Sequence, residues 1–202
     1  MATPTKKRAT YQDVLDAPEH AVAEIVDGEL HVMPRPAAPA NSVHSSLLFE
    51  LGPPFSRGRG GPGGWIIIGE PELHLPDGDV LVPDLAGWRR ERMSVVPDAA
   101  GISIAPDWVC EVLSPSTERL DRAQKVRIYA RWGVAYAWLV HPRHRTVEVL
   151  RLHEDGTWLT LAVHRDDERV RAEPFDAIEL DLANLWADLP VRAGEAAAQY
   201  AP

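Results

Sequence analysis

The chain has 202 residues, 45% of them hydrophobic, with a formal net charge of -9 and a pI near 5.3. That suits one domain with a real core and counts against a binder that works by bulk positive charge, since phosphate neutralisation favours basic proteins, although local fields outweigh the total. The single cysteine, Cys110, excludes an internal disulfide framework and a cysteine-based zinc site, and no apolar stretch approaches the roughly 20 residues of a membrane span.

One cysteine fits a reducing compartment, and the segment MATPTKKRAT has no apolar run after its basic residues, so a cytoplasmic location is the expectation. Residues 1–10 read as a disordered tail, 11–190 as a single domain and 191–202 as a C-terminal tail. Thr10 is a plausible N-cap for a short helix in TYQDVLDAP. AEIVDGELHVMP reads as a hairpin around Asp27-Gly28. A helix capped by Asn41 or Ser42 runs to about Leu51, with Val43, Leu47, Leu48 and Leu51 at helical spacing. GPPFSRGRGGPGG then breaks regular structure. Its Arg57 and Arg59 are either phosphate contacts on a mobile loop or part of a plain solvated connection, and the segment lacks the lysine and spacing of a P-loop. WIIIGEPELHL and VLVPDLAGWR read as strand regions, and DWVCEVL as a short apolar strand. SPSTERLDRAQKVRIYARWG follows as a helix with a Ser/Thr start and a stop at Gly133. AYAWLVHP is a buried strand, TVEVLRLHEDGTWLTLAV a hairpin around Asp155-Gly156, and FDAIELDLANLWADL ends in a short helix. Strands flanking a central helix predict a mixed α/β layer arrangement.

Three residues break the pattern of their surroundings. Glu111 is the charged residue inside DWVCEVL, on the face opposite Trp108, Cys110 and Val112. A buried carboxylate costs several kcal/mol unless it is paired, hydrogen-bonded or bound to metal, so Glu111 is either a structural ion pair or a ligand. Asp84 follows Pro83 in another apolar region, as a turn cap or as a second hard oxygen ligand for Mg²⁺. Lysine occurs only at Lys6, Lys7 and Lys125. Arginine supplies the positive charge elsewhere, and the two are not interchangeable. At 100° per residue Lys125 shares a helix face with Asp121, Ile128, Tyr129 and Trp132, while Arg127 and Arg131 lie on another side. Its ammonium either pairs with Asp121 at i and i+4 or reaches the strand ends. Two carboxylates, a divalent metal and a lysine form a set suited to phosphodiester hydrolysis. Ser114, Ser116 and Thr117 fit turn and cap contacts better than a nucleophile, since no histidine stands at a suggestive spacing.

VPDLAGW, then PDWVCEVLSPST, then DRAQKVRIYARWGVAYAWLVHP resemble the Uma-two family of restriction-endonuclease-like proteins, a branch of the PD-(D/E)xK nuclease superfamily. EIVDGELHVMP and the following His44 are similar to that family's opening segment, so the resemblance covers roughly residues 10 to 190. It implies an α+β restriction-endonuclease-like fold: a mixed β-sheet flanked by helices, with extra N-terminal and C-terminal β-hairpins. It also implies a Mg²⁺- or Mn²⁺-dependent endonuclease acting on DNA. The acid after proline maps onto Asp84 and the second acid onto Glu111, as metal ligands. The lysine normally two residues later is Leu113 here, and the resemblance moves that catalytic role to Lys125 on the following helix. Glu29, His44 and Asp121 are supporting candidates: Glu29 as an added carboxylate or a solvated strand residue, His44 as a titrating or a structural histidine. A homodimer through edge strands of the C-terminal hairpin is an expectation by analogy. The other reading is a non-catalytic binding or assembly module that keeps the acids and lysine as an ion-pair network.

Overall fold

Asp27 and Gly28 adopt φ of 50° and 79°, the pair of left-handed residues that a tight hairpin turn requires. They join β1 (Ala21–Val26) to β2 (Glu29–Pro34) in unbroken register, from Val26 opposite Glu29 to Ala21 opposite Pro34. The computed structural model describes residues 7–190. Ahead of the hairpin, α1 (Tyr11–Leu15) starts where the Asp13 carboxylate accepts from the Thr10 backbone at 2.7 Å. Part of the expected N-terminal tail is docked. Arg8 pairs with Asp79 at 2.8 Å, and the Ala9 N–H donates to the Gly28 carbonyl at 2.8 Å. Residues 1–6 of that tail, and the C-terminal tail of 191–202, lie outside the described residues.

The next helix, α2 (Ala38–Leu51), begins four residues earlier than an Asn41 cap would place it, because Pro39 sits in the first turn, where its missing N–H leaves no bond unmade. It buries Ala40, Val43, Leu47 and Leu51. Gly52–Ser56 does not break the run but continues it as a π-helical turn, since Pro54 and Phe55 are buried and Phe55 packs 4.7 Å from the Phe175 ring. The open loop is confined to residues 57–64.

The remaining strands are β3 (Trp65–Gly69), β4 (Leu73–His74), β5 (Val80–Leu81), β6 (Leu85–Arg89) and β7 (Trp108–Val112). After one long helical crossover come β8 (Tyr136–His141), β9 (Thr146–Leu152), β10 (Trp158–Arg165), β11 (Arg169–Val170) and β12 (Leu180–Asp181). A large sheet runs β10-β9-β8-β7-β6-β3 and a small one β2-β1-β5-β4. In the large sheet β7 and β8 are parallel, a pairing that needs a crossover element. That element is α3 (Glu118–Leu120), a π turn (Asp121–Lys125) and α4 (Val126–Trp132), closed by Gly133 at φ 79°. The short α5 (Ala183–Trp186) is the last element of the described chain.

Alternation along β7 divides the core between two faces. Trp108, Cys110 and Val112 pack with α2, Trp138 and Phe175 on one side, and Trp108 meets Phe175 edge-on at 4.9 Å. Such aromatic pairs contribute about 0.5–1.5 kcal/mol beyond the area they bury. Val109 and Leu113 pack with Ile128 and Tyr129 of α4 and with the small sheet on the other. The chain passes from the large sheet to the small one through Glu70–Glu72 and returns through Val82–Asp84. This seam between the sheets, roofed by the crossover helix, positions the site.

Candidate active site

Asp84 stands where the chain re-enters the large sheet. Pro83 has no N–H to donate and ends the short β5 pairing. The antiparallel register then sets Leu85 opposite Cys110, which brings residue 84 beside Glu111 and Val112. The Val112 N–H donates to Asp84 Oδ2 at 2.7 Å, and Asp84 Oδ1 has no protein partner among the described residues. Glu111, 1% exposed, points from β7 toward α4. The Tyr129 hydroxyl donates to its Oε1 at 2.5 Å.

Lys125 closes the cleft. In the π turn the Val126 N–H reaches back to the Asp121 carbonyl, and both Asp121 and Lys125 are turned inward, 3% and 2% exposed. The Lys125 Nζ lies 2.9 Å from Glu24 Oε1, 3.0 Å from Glu111 Oε1 and 3.6 Å from Asp121 Oδ1, and donates to the Val82 carbonyl at 3.3 Å. Glu24 Oε1 in turn accepts from the Val82 N–H at 2.6 Å. Val82 is thus tied at both backbone groups, which fixes the strand end carrying Pro83 and Asp84.

Five carboxylates, Glu24, Glu70, Asp84, Glu111 and Asp121, line this cleft with one lysine. Arg35 approaches Glu70 at 3.7 Å from an exposed position. Burial pushes Asp84 up to about 7, against the opposing pull of the Val112 N–H and Lys125. Burial also drives Glu111 well above the carboxylate range and raises Asp121, each only partly offset by Lys125. Burial alone would lower the Lys125 ammonium, but Glu111 and Glu24 outweigh it and hold the group protonated. The cluster carries more acid than its one ammonium balances, which favours an added cation. The free oxygens, Asp84 Oδ1 and Glu111 Oε2, are hard donors of the type that suits Mg²⁺ or Mn²⁺. Among the described residues no three His, Cys, Asp or Glu side chains form a ready metal cage. Mg²⁺ is commonly held by one or two carboxylates with waters and substrate oxygens, so a two-carboxylate donor set fits it.

The structure brings Asp84, Glu111, Lys125 and Asp121 together and keeps the four other candidates, Glu29, His44, Arg57 and Arg59, out of the cleft lining. Glu29 is at the turn end of the hairpin, opposite Val26, and lines a separate surface hollow with Arg8 and Asp13. The hairpin's carboxylate in the cleft is Glu24, five residues earlier. Arg57 and Arg59 are exposed on the loop before Trp65, at the opposite end of β3 from Gly69 and Glu70. His44 packs its Nε2 toward Gly69, where an added Cβ would lie 2.7 Å away, and that buried nitrogen has no partner among the described residues. Burial lowers its pKa, with Glu70 opposing, so it stands behind the cleft wall as a largely neutral ring. Sequence reasoning missed Glu24 and Glu70, and it placed Tyr129 on the Lys125 face without its hydrogen bond to Glu111. Glu24 carries the same signal as Glu111, a charge within the apolar run AVAEIV.

A solved structure described as a "putative nuclease belonging to DUF820", from Anabaena variabilis, superposes with a TM-score of 0.67 at 21% identity, covering 89% of this chain and 98% of that one. The likeness establishes the restriction-endonuclease-like mixed sheet flanked by helices as a shared fold. No curated protein matches the chain. A family model does match, over residues 9–183, a span that contains Glu24, Asp84, Glu111 and Lys125. The chain belongs to the Uma2 family, described as "Putative restriction endonuclease".

Proposed function

We propose that this cleft hydrolyses DNA phosphodiester bonds with the help of a divalent cation. The observation that carries the reading is the 3.0 Å approach of the Lys125 ammonium to Glu111 beside Asp84. The lysine slot two residues after Glu111 holds Leu113, which is buried in the core, yet the helix returns a lysine to the same carboxylates.

Asp84 and Glu111 would hold Mg²⁺ or Mn²⁺ through their free oxygens. When bound, the cation supplies Lewis-acid polarisation of a phosphoryl oxygen and a more acidic water. Lys125 places a full positive charge where the attacking oxygen and the crowded phosphate gather negative charge. Tyr129 holds the Glu111 carboxylate in one orientation, and Glu24 positions Lys125 from the other side. Asp121 adds a carboxylate at the base of the lysine and keeps its ammonium over the strand ends.

A plasmid-cleavage assay in Mg²⁺ tests the reading. Glu111→Gln and Lys125→Met should each lower the rate by about a hundredfold or more, the scale of losing a group that acts on transition-state charge. Cleavage at the wild-type rate by both variants would sink it. A second reading, a non-catalytic module, is favoured by how fully Lys125 is already paired with acids. It predicts no carboxylate-dependent Mn²⁺ binding in calorimetry. DNA as substrate, a cytoplasmic setting and a homodimer through the exposed edge strand β10 belong to the proposal. Leu159 and Val163 are exposed on that edge, and sedimentation that finds a monomer at all concentrations would remove the dimer.

A further inference from the structure

At the same end of the large sheet as the cleft lies a second concavity with a different charge. The Leu113 N–H donates to the Val140 carbonyl at 2.7 Å, so the chain leaves parallel β7 and β8 side by side, at Ser114 and at His141. Register continues the row: His141 pairs with Thr146 on β9, and Thr146 with Arg165 on β10. Arg143 and Arg165 line this ledge with His141 and His144, whose rings pack at 4.1 Å. Its two carboxylates, Glu118 and Glu148, are both engaged by Arg122, at 3.2 and 2.7 Å. Arg143 and Arg165 are exposed and make no ion pair among the described residues. Many arginines elsewhere on the surface are tied to acids, such as Arg127 and Arg131 to Asp27.

The ledge and the cleft are joined. Ser114 lines the cleft and also an apolar groove walled by Pro39, Pro115 and Pro142. His141 and Arg143 line that groove and also the ledge. From β7 to β10 is three strand spacings, roughly 15 Å. At about 3.4 Å of rise per nucleotide that is a reach of about four nucleotides along one DNA strand.

We propose that the Arg143–Arg165 ledge is the phosphate track that holds DNA beside the cleft, with the apolar groove between them facing the sugars. This rests on the nuclease reading for its ligand, and it assigns the protein's DNA affinity to a place away from its acidic centre. An overall charge of -9 makes such a local cationic surface necessary for a polyanion to dock.

Fluorescence anisotropy with a labelled short duplex tests the ledge. The full chain, with Ca²⁺ present, is titrated across roughly 50 to 200 mM salt. Arg143→Ala/Arg165→Ala should weaken binding about tenfold or more at the low-salt end and reduce the slope of log K against log salt by about 2, since each phosphate contact contributes about 0.9. Arg127→Ala/Arg131→Ala, which removes the same charge from the Asp27 face, should change affinity by less than about twofold. Unchanged affinity and slope in the ledge variant, an equal loss in the control, or no binding by the wild type would each overturn the inference. Metal-dependent cleavage is read separately. Cleavage that persists while the ledge variant binds normally removes the ledge and leaves the nuclease. Ledge-dependent binding without any cleavage leaves the ledge and removes the nuclease.

Discussion

Replacing Asp84 by asparagine should make the protein more stable and inactive. Burial moves the Asp84 carboxyl from 3.8 to about 7. Asparagine is nearly isosteric, keeps an acceptor for the Val112 N–H and cannot ionise. In the unfolded chain the aspartate loses its proton near pH 4, whereas in the folded chain it keeps it until about pH 7. The native state therefore binds more protons across that window, and wild-type stability falls as pH rises through it. Once the group is fully ionised the cost is on the order of 4 kcal/mol, and about 3 kcal/mol of it accrues between pH 5 and pH 8. These figures are upper limits, because the new amide must find partners for its N–H groups. Urea denaturation in EDTA, at both pH values, measures the effect as a shift in midpoint at constant m-value. Asp84→Asn should exceed wild type near pH 8 by a clear margin that shrinks toward pH 5. Mn²⁺ should restore wild type and not the variant. A variant less stable than wild type near pH 8, or a gain equal at the two pH values, would refute the argument that burial of an ionised Asp84 is a stability cost retained for function.

Lys125→Met leaves Glu24, Glu111 and Asp121 without their buried ammonium. It should destabilise the fold by about 3–5 kcal/mol near neutral pH, with partial recovery in acid as Glu111 and Asp121, whose carboxyls burial pushes up, take up protons, followed by circular dichroism melts. Tyr129→Phe removes the 2.5 Å hydrogen bond to Glu111 and should cost about 1–3 kcal/mol of stability while lowering kcat and leaving duplex affinity unchanged. Gly69→Ala drives a methyl against His44 Nε2, 2.7 Å from its ideal position. A loss of about 1–3 kcal/mol is expected, relieved when His44→Ala is added, and an additive double variant would contradict the contact.

Asp84, Glu111 and Lys125 were legible because each is a charge set in an apolar run or on an apolar helix face, and burying a charge demands a partner. Glu24 obeys the same rule, but the Asp27-Gly28 turn drew attention to its neighbour Glu29, which the turn geometry leaves at the far end of the hairpin. Glu70 and the seam it occupies depend on how two sheets meet, a long-range pairing that no local pattern encodes. The π turn at Asp121–Lys125 is equally silent in sequence, since no proline or glycine marks it. Helical periodicity found the correct face of Lys125 and Tyr129 all the same, because one wide turn rotates the helix too little to move that stripe out of the core. Arg57 and Arg59 stand out in the sequence for their glycine-rich setting. The ledge arginines, Arg143 in the turn after β8 and Arg165 at the end of β10, carry no such mark.

The central claim is that Asp84 and Glu111 form a cation site with Lys125 beside it. A crystal structure after Mn²⁺ soaking, read by anomalous scattering, tests it most directly. The account predicts one Mn²⁺ peak between Asp84 Oδ1 and Glu111 Oε2 at oxygen-ligand distances, with the Lys125 ammonium still beside Glu111. Saturating Mn²⁺ with no peak there, and all three side chains unmoved, would contradict it.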